Sequence, residues 1–116
     1  MDRVEKSRIL FVCTVNRMRS ATAAKIYESD TRFDVQSAGT DPSAATVINR
    51  SLLEWASCIV VMEKHHRNFI RARYPDIYNT KKIVCLYIPD DYEFMQEELI
   101  LLLRNRFEEV FSKGLT

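Results

Sequence analysis

Residues 9–20 read Ile-Leu-Phe-Val-Cys-Thr-Val-Asn-Arg-Met-Arg-Ser, and this stretch decides the fold. It is an apolar run that ends at Cys13, followed by five residues, Arg19 and Ser20, after which a helical pattern begins. A strand that passes through a loop into a helix collects inward-pointing backbone N–H groups and the positive end of the helix dipole around one point. The layout therefore predicts a phosphate-binding loop with a nucleophilic cysteine at its base.

The side chains of this loop fit the roles that such chemistry needs. Cys13 is predicted to attack phosphorus as a thiolate, and Arg19 to hold two phosphate oxygens in a bidentate fork. Asn16 tolerates a left-handed backbone. Ser20 is predicted to cap the helix and to donate to the sulfur, with capping alone as the alternative. The predicted phosphate-binding residues are Thr14, Val15, Asn16, Arg17, Met18, Arg19 and Ser20. A buried strand-end cysteine with an unrelated surface arginine is the competing interpretation.

Residues 12–20 and 37–40 together resemble the low-molecular-weight protein tyrosine phosphatase family. Residues 58–63 are similar to that family's third strand and the Met-acidic pair after it. Residues 88–92, Ile-Pro-Asp-Asp-Tyr, fall where the family keeps its Asp-Pro-Tyr acid loop. The resemblance implies a protein tyrosine phosphatase that forms a phosphocysteine intermediate and needs no metal or other cofactor.

The resemblance also implies a general acid and two supporting residues. Asp90 matches the family's acid, whereas Asp91 stands where the family has proline, so both are candidates for the catalytic acid. The alternative for both aspartates is capping of the last helix. Tyr92 is expected to form a wall of the substrate cleft. Ser37 is expected to be the hydrogen-bond partner that supports Asn16.

Two departures from the family concern substrate access. Val15 replaces the usual loop glycine, so loop geometry is expected to differ. Family members are usually longer, and the shortening falls in residues 40–53. The sequence leaves the physiological substrate open between a phosphorylated protein and a small phosphoester.

Alternating strand and helix patterns predict an α/β fold. Strands are predicted at residues 9–13, 33–37, 59–62 and 83–88, and helices from Ser20, at 47–56, at 63–73 and at 94–112. Such alternation gives a three-layer, four-stranded parallel sheet with helices on both faces. In this fold ligands bind at the carboxyl ends of the strands.

Composition bounds the partners. The chain has 116 residues, 47% of them hydrophobic, and a formal net charge of +1. We expect one domain over residues 1–116, a monomer, with no nucleic-acid partner and no membrane association. The charged residues 1–6 argue against a signal peptide, and three irregularly spaced cysteines favour the cytoplasm. Inorganic phosphate or sulfate is expected to bind in the loop.

The remaining cysteines and histidines are expected to be structural. Cys58 and Cys85 lie in strand-like runs and lack zinc-site spacing, and His65 and His66 lack a ligand set, so no metal site is predicted. Arsenate reduction on the same fold would need cysteines in a mobile segment. A phosphate-binding or phospho-carrier module without hydrolysis is the other alternative.

Overall fold

The computed structural model describes residues 6–114. Residues 1–5, which carry most of the argument against a signal peptide, lie outside the described residues. In chain order the elements are β1 (Ser7–Cys13), α1 (Arg19–Tyr27), β2 (Phe33–Gly39), α2 (Arg50–Trp55), β3 (Cys58–Val61), α3 (Lys64–Arg73), α4 (Pro75–Thr80), β4 (Lys82–Cys85) and α5 (Glu97–Ser112).

The strands form one parallel sheet in the order β2-β1-β3-β4, which confirms the predicted fold class. β1 is central because its residues are apolar on both faces and are buried from Ile9 to Cys13. The chain leaves β1 toward β2 on one side and returns to β3 on the other. The carboxyl ends of β1 and β3 therefore meet at the topological switch point, where open α/β sheets bind ligands.

Alternate residues of β1 enter two separate cores. Ile9, Phe11 and Cys13 pack with α1 and α5 on one face, and Leu10 and Val12 pack with α2, α3 and α4 on the other. This follows from the two-residue period of a strand. Cys13 therefore points to the same side of the sheet as α1, the helix that follows the loop.

The predicted strand at residues 83–88 ends earlier, at Cys85. The cause is Tyr87, whose φ of 56° is left-handed and breaks the extended backbone. The N–H groups of Leu86 and Ile88 still donate to carbonyl oxygens at the end of β3, at 2.9 and 2.8 Å. The segment after β4 therefore stays attached to the sheet as far as Ile88.

Two helix predictions also need correction. The last helix begins at Glu97 rather than at residue 94. Pro75 ends α3 as predicted but also begins the short helix α4, which the sequence analysis missed. Proline suits the first position of a helix because its missing N–H would have no partner there. Within residues 6–114 no helix is long and apolar enough to cross a membrane.

Candidate active site

The loop between β1 and α1 is held from outside by residues 40–45, which donate hydrogen bonds to the carbonyl groups of the loop. Three consecutive carbonyl oxygens accept hydrogen bonds from the backbone of residues 40–45. The donors are the N–H groups of Thr40 to Cys13, of Asp41 to Thr14 and of Ala45 to Val15, each at 3.0 Å. Because C=O and N–H point in opposite directions across a trans peptide, the N–H groups of this stretch face the inside of the loop. Residues 40–45 thus hold the loop with these N–H groups turned inward.

Gly39, the last residue of β2, allows this segment to lie close to the loop. A Cβ atom at Gly39 would collide with the carbonyl oxygen of Thr14 and would lie 2.7 Å from the Cβ of Ala44. The glycine is needed for close approach and not for its backbone angles.

Cys13 lies at the base of the loop, 2% exposed, with two hydrogen-bond partners. The N–H of Asn16 donates to its Sγ at 3.2 Å, and the Ser20 Oγ lies 3.0 Å from it. Ser20 Oγ accepts a hydrogen bond from Asn16 Nδ2 at 2.8 Å, so its hydrogen is available to a thiolate. Both groups stabilise negative charge on sulfur.

Asn16 has the left-handed backbone that its residue type suggested, with a φ of 58°. Val15, at the family's glycine position, does not have a positive φ, so the backbone of the loop does not require glycine there. The prediction that Ser37 is the partner of Asn16 is wrong: the Asn16 side chain donates to Ser20, its neighbour across the first turn of α1. Ser37 is paired with Phe11 in the sheet.

The capping role of Ser20 is also wrong. α1 begins one residue earlier, at Arg19, and the residue in the capping position is Met18, which makes no side-chain cap. Ser20 is fully buried inside the helix, and its hydroxyl is engaged with Cys13 and Asn16. Its Oγ also lies 3.4 Å from the carbonyl oxygen of Ala38, a longer contact to a second acceptor, so the hydroxyl contacts the sulfur, Asn16 and β2 and does not cap the helix.

Arg19 is the largest buried polar side chain of the site, 2% exposed. One nitrogen, Nη1, donates to the carboxylate of Glu63 and, at 2.8 Å, to the carbonyl of Ile88. Nε lies 3.7 Å from Asp90 Oδ1. Within residues 6–114 the structure gives Nη2 no protein partner. Nη1 thus fixes the guanidinium, while Nε and Nη2 form the side of the fork that can bind two phosphate oxygens.

The structure separates the two candidate acids. Asp90 is beside Arg19 with a side chain that is 66% exposed, whereas Asp91 makes no ion pair or side-chain hydrogen bond within the described residues. Capping of the last helix is wrong for both, because α5 begins at Glu97 with Gln96 in the capping position. Asp90 is therefore the carboxylate placed near the loop.

A groove of about 570 Å³ is lined by Glu63, Lys64, Tyr87 and Pro89. Glu63, the ion-pair partner of Arg19, connects this groove to the site. Tyr92, the residue expected to wall the cleft, is half-buried and packs against the α1/α5 core. Its role at the cleft stays a prediction. The exposed, left-handed Tyr87 is the aromatic residue of the groove and was missed by the sequence analysis.

His66 was expected to be a structural residue without a link to the site, but both of its ring nitrogens make contacts there. The ring is fully buried: Nδ1 accepts from the N–H of Glu63 at 3.0 Å, and Nε2 lies 2.9 Å from Thr14 Oγ1. Burial, with the positive charges of His65 and Arg19, lowers the pKa of His66 to about 3. The sequence signal was a residue three positions after a helix cap, from which a side chain can reach back to the cap N–H.

The other cysteines lie where the sequence placed them, on β3 and β4. Burial raises the pKa of Cys58 to about 11 and raises that of Cys85. Both therefore favour the unreactive thiol. In the described part of the chain, no group of three or more metal-ligating side chains is arranged around a common point.

By sequence, no protein-family model matches the chain and no curated protein does so. By structure, three solved proteins are similar over nearly their whole lengths. YwlE arginine phosphatase from Geobacillus stearothermophilus is 23% identical with a TM-score of 0.69, over 94% of this chain and 96% of that one. SP-PTP, a low molecular weight protein tyrosine phosphatase from Streptococcus pyogenes, is 16% identical with a TM-score of 0.76, over 95% of this chain and 94% of that one. Vibrio vulnificus Wzb, solved with benzylphosphonate, is 20% identical with a TM-score of 0.74, over 94% of this chain and 99% of that one. The chain therefore has the fold of low-molecular-weight phosphatases.

Proposed function

We propose that this protein hydrolyses phosphate monoesters through a phosphocysteine intermediate on Cys13 and acts as a protein tyrosine phosphatase. The observation that carries the proposal is the sulfur of Cys13, which receives hydrogen bonds at the base of a loop closed by the fixed guanidinium of Arg19. This combination places a nucleophile and an anion-binding fork at one point.

In the first step the thiolate of Cys13 attacks phosphorus, a P–S bond forms and the P–O bond to the leaving group breaks. Asp90 gives its proton to the departing oxygen. Arg19 and the inward N–H groups of the loop hold the phosphoryl oxygens while negative charge redistributes onto the leaving group.

In the second step Asp90, now a carboxylate, takes a proton from water as the water oxygen attacks phosphorus. The P–S bond breaks, inorganic phosphate leaves and the thiolate returns. The Ser20 hydroxyl stabilises the emerging thiolate through its contact with the sulfur. No electron transfer and no metal is needed for either step.

This scheme accounts for the site better than the two alternatives. A binding module without hydrolysis would not need a carboxylate 3.7 Å from the phosphate-binding arginine. Arsenate reduction needs accessible cysteines to relay a disulfide, and Cys58 and Cys85 lie in the sheet with raised pKa values.

The proposed substrate is a phosphotyrosine protein, and the proposed state of the enzyme is a cytoplasmic monomer. Vibrio vulnificus Wzb was solved with benzylphosphonate, in which a methylene group joins an aromatic ring to phosphorus, and the tyrosine phosphatase Wzb from Escherichia coli K30, also similar in structure, was solved with phosphate. Their likeness supports an aryl phosphate as substrate and inorganic phosphate as product in the loop. A panel of phosphotyrosine, phosphoserine and phosphoarginine peptides tests the choice, since one neighbour is an arginine phosphatase. Turnover of the phosphotyrosine peptide alone supports the proposal, whereas preference for another peptide contradicts it.

The direct test is turnover of an aryl phosphate with and without a chelator. Cys13→Ser should lower kcat by about 10⁴-fold or more, because the nucleophile is lost. Arg19→Lys should lower it by at least about 10²-fold, because an ammonium cannot keep its structural contacts and bind two oxygens. Cys85→Ser and Arg71→Lys are the matched controls, since both lie away from the loop, and they should keep wild-type turnover. Full activity of Cys13→Ser, or loss of wild-type activity with the chelator, would refute the mechanism.

A further inference from the structure

Besides the ion pair of Glu63 with Arg19, a second side chain, that of His66, joins the N-terminus of α3 to the phosphate-binding loop. His66 lies in the first turn of α3, and its ring is inaccessible to solvent. It reaches Thr14, the residue that follows Cys13, through a contact of 2.9 Å between Nε2 and Oγ1. None of the steps proposed above uses this contact.

The hydrogen-bond partners determine where the imidazole carries its proton. The backbone N–H of Glu63 can only donate, so Nδ1, at 3.0 Å, must accept. A neutral ring with a bare Nδ1 carries its hydrogen on Nε2. Nε2–H therefore donates to Thr14 Oγ1, and the hydroxyl hydrogen of Thr14 is directed away from the histidine.

We propose that His66 is a positioning residue for the phosphate-binding loop, acting by donating a hydrogen bond from Nε2–H to the hydroxyl of Thr14. The inference rests on the proposed function, because it assigns the loop to phosphate binding. Thr14 is held from two sides: its carbonyl accepts from Asp41, and its hydroxyl accepts from His66. Its peptide plane, and with it the next inward N–H, is thereby fixed before phosphate arrives.

Burial keeps the ring in this neutral form, and the groups that face it act in the same direction. Burial is the largest cause that lowers the pKa of His66 to about 3, and His65 on α3 and Arg19 on α1 lower it further. The Glu63 carboxylate is turned toward Arg19 and His65, while its backbone N–H meets the ring. The donor on Nε2 is therefore present, and its direction unchanged, throughout the neutral pH range.

Two substitutions at His66 separate the helix contact from the loop contact. In His66→Asn the amide oxygen can still accept from the N–H of Glu63, but no donor reaches Thr14. In His66→Gln the amide nitrogen can stand where Nε2 stands and donate to Thr14. Because glutamine at this position can also reach the N–H of Glu63, a role limited to capping α3 predicts that both variants keep function, whereas the proposed role predicts a loss in the asparagine variant that glutamine restores. His65→Asn, the same change one residue earlier on an exposed ring, is the matched control.

The measurements are kcat/KM on an aryl phosphate and the affinity for inorganic phosphate. Misplacing a binding group by a fraction of an ångström to 1 Å costs up to about 100-fold, so we expect His66→Asn to lose between about 10- and 100-fold in kcat/KM. Phosphate affinity should fall with it, His66→Gln should recover most of the loss, and His65→Asn should match the wild type. An unchanged His66→Asn, or a glutamine variant no better than asparagine, overturns the proposal.

Thr14 provides the test from the other side of the contact. Thr14→Val removes the hydroxyl at nearly constant volume and should lower phosphate affinity as His66→Asn does, whereas Thr14→Ser, which keeps the hydroxyl, should lose less affinity than Thr14→Val. Combining Thr14→Val with His66→Asn should cost little more than either change alone, because both remove one interaction. Losses that multiply show that the two residues act independently and refute the proposal.

Nitrogen NMR of wild-type His66 remains informative even if the variants do not fold. The expected signature is a protonated Nε2 and an unprotonated Nδ1, and the opposite tautomer or a charged ring at neutral pH overturns the inference. Failure of the proposed function looks different. The wild type would then bind phosphate without turnover, and the phosphate affinities of the variants would still decide the role of His66.

Discussion

The two halves of the candidate site, the loop of residues 13–20 and the acid segment of residues 86–96, are built in opposite ways. In the loop Cys13, Arg19 and Ser20 are at most 2% exposed, and each has defined hydrogen-bond partners. In the acid segment Asp90 is 66% exposed and touches the loop only through a 3.7 Å contact with Arg19. The proposed anion-binding half consists of buried, hydrogen-bonded side chains, whereas the proposed acid is exposed to solvent at its edge.

The acid segment is nevertheless attached at two points, once to the loop at Arg19 and once to α1 at Thr22. The carbonyl of Ile88 accepts from Arg19, and the N–H of Met95, which has a φ of 61°, donates to Thr22 on α1 at 2.9 Å. These anchors lie on either side of Asp90 and limit its distance from the sulfur. In the proposed mechanism this difference has a reason: the buried half stabilises charge, while the proposed proton donor Asp90 needs access to the water from which it takes a proton in the second step.

The largest effect expected within this comparison comes from the acid. Asp90→Asn should slow turnover of an alkyl phosphate by about 10²-fold or more, because an alkoxide needs a proton to leave. It should affect a nitrophenyl phosphate much less, since nitrophenolate departs without one. Steady-state kcat for the two substrates measures the ratio.

Asp91→Asn is the matched control, a neighbouring carboxylate without a contact to the loop in the described residues. It should leave both rates near wild type. The reverse pattern would move the acid to Asp91 and keep the mechanism. Small, equal effects from both variants would remove the acid and favour phosphate binding without hydrolysis.

A smaller effect should follow from filling the space behind the loop. In Gly39→Ala the new Cβ collides with the Thr14 carbonyl, so residues 40–45 or the loop must shift. Overpacking of this kind costs about 1–3 kcal/mol in the free energy of unfolding. Because residues 40–45 hold the loop carbonyls outward, phosphate affinity should fall as well. Denaturant unfolding and phosphate titration give the two values.

Gly114→Ala serves as the comparison, since a Cβ there meets nothing within 4 Å. It should change stability less and leave phosphate affinity unaltered. Equal phosphate affinity in Gly39→Ala and the wild type would show that the loop does not depend on this packing.

The smallest effect is a pH dependence of stability that arises in the rigid half. The pKa of His66 is about 3 in the folded chain against 6.5 as its ordinary value. Above pH 6.5 the ring is neutral in both states; below it the unfolded chain binds a proton that the folded chain does not. Stability should therefore fall as pH drops from 6.5 toward 3, by at most about 1.4 kcal/mol per pH unit.

Denaturant unfolding at several pH values checks this slope in the wild type and in His66→Asn. The two curves should be compared only at pH values above about 4, the ordinary pKa of carboxylates. Below that pH the ion-paired carboxylates Asp30 and Glu108 also begin to contribute less to the stability of the fold. His66→Asn should flatten the curve in this window. An equally steep curve in the variant would assign the slope to another group.

Sequence reasoning predicted the rigid half of the site better than the exposed half. The strand into Cys13, the left-handed Asn16 and the contact of Ser20 with sulfur follow from residue types at fixed local spacing. Of the three non-glycine residues with positive φ in residues 6–114, two lie in the acid segment, Tyr87 and Met95, and their residue types do not predict such a backbone. The strand and helix boundaries there were accordingly displaced.

The corrections inside the loop share one cause, which is that local patterns do not reveal partners distant in sequence. The sequence made Ser20 a plausible helix cap, but its hydroxyl contacts the sulfur of Cys13 and the side chain of Asn16. His66 had no apparent partner until β1 and β3 were paired, because Thr14 is 52 residues away. Pairing two strands brings the residues after them together, and this happens only in the tertiary structure.

The sequence by itself determined the alternation of strands and helices, the two-sided burial of β1 and the loop with its cysteine and arginine. These depend on hydrophobic period and on spacing of a few residues, which the chain carries locally. Only the tertiary structure decided which nitrogen of Arg19 is structural, which aspartate lies near it and which histidine supports the loop. Each of those depends on a contact at the carboxyl edge of the sheet. There the strand order β2-β1-β3-β4 brings segments that are distant in sequence close together.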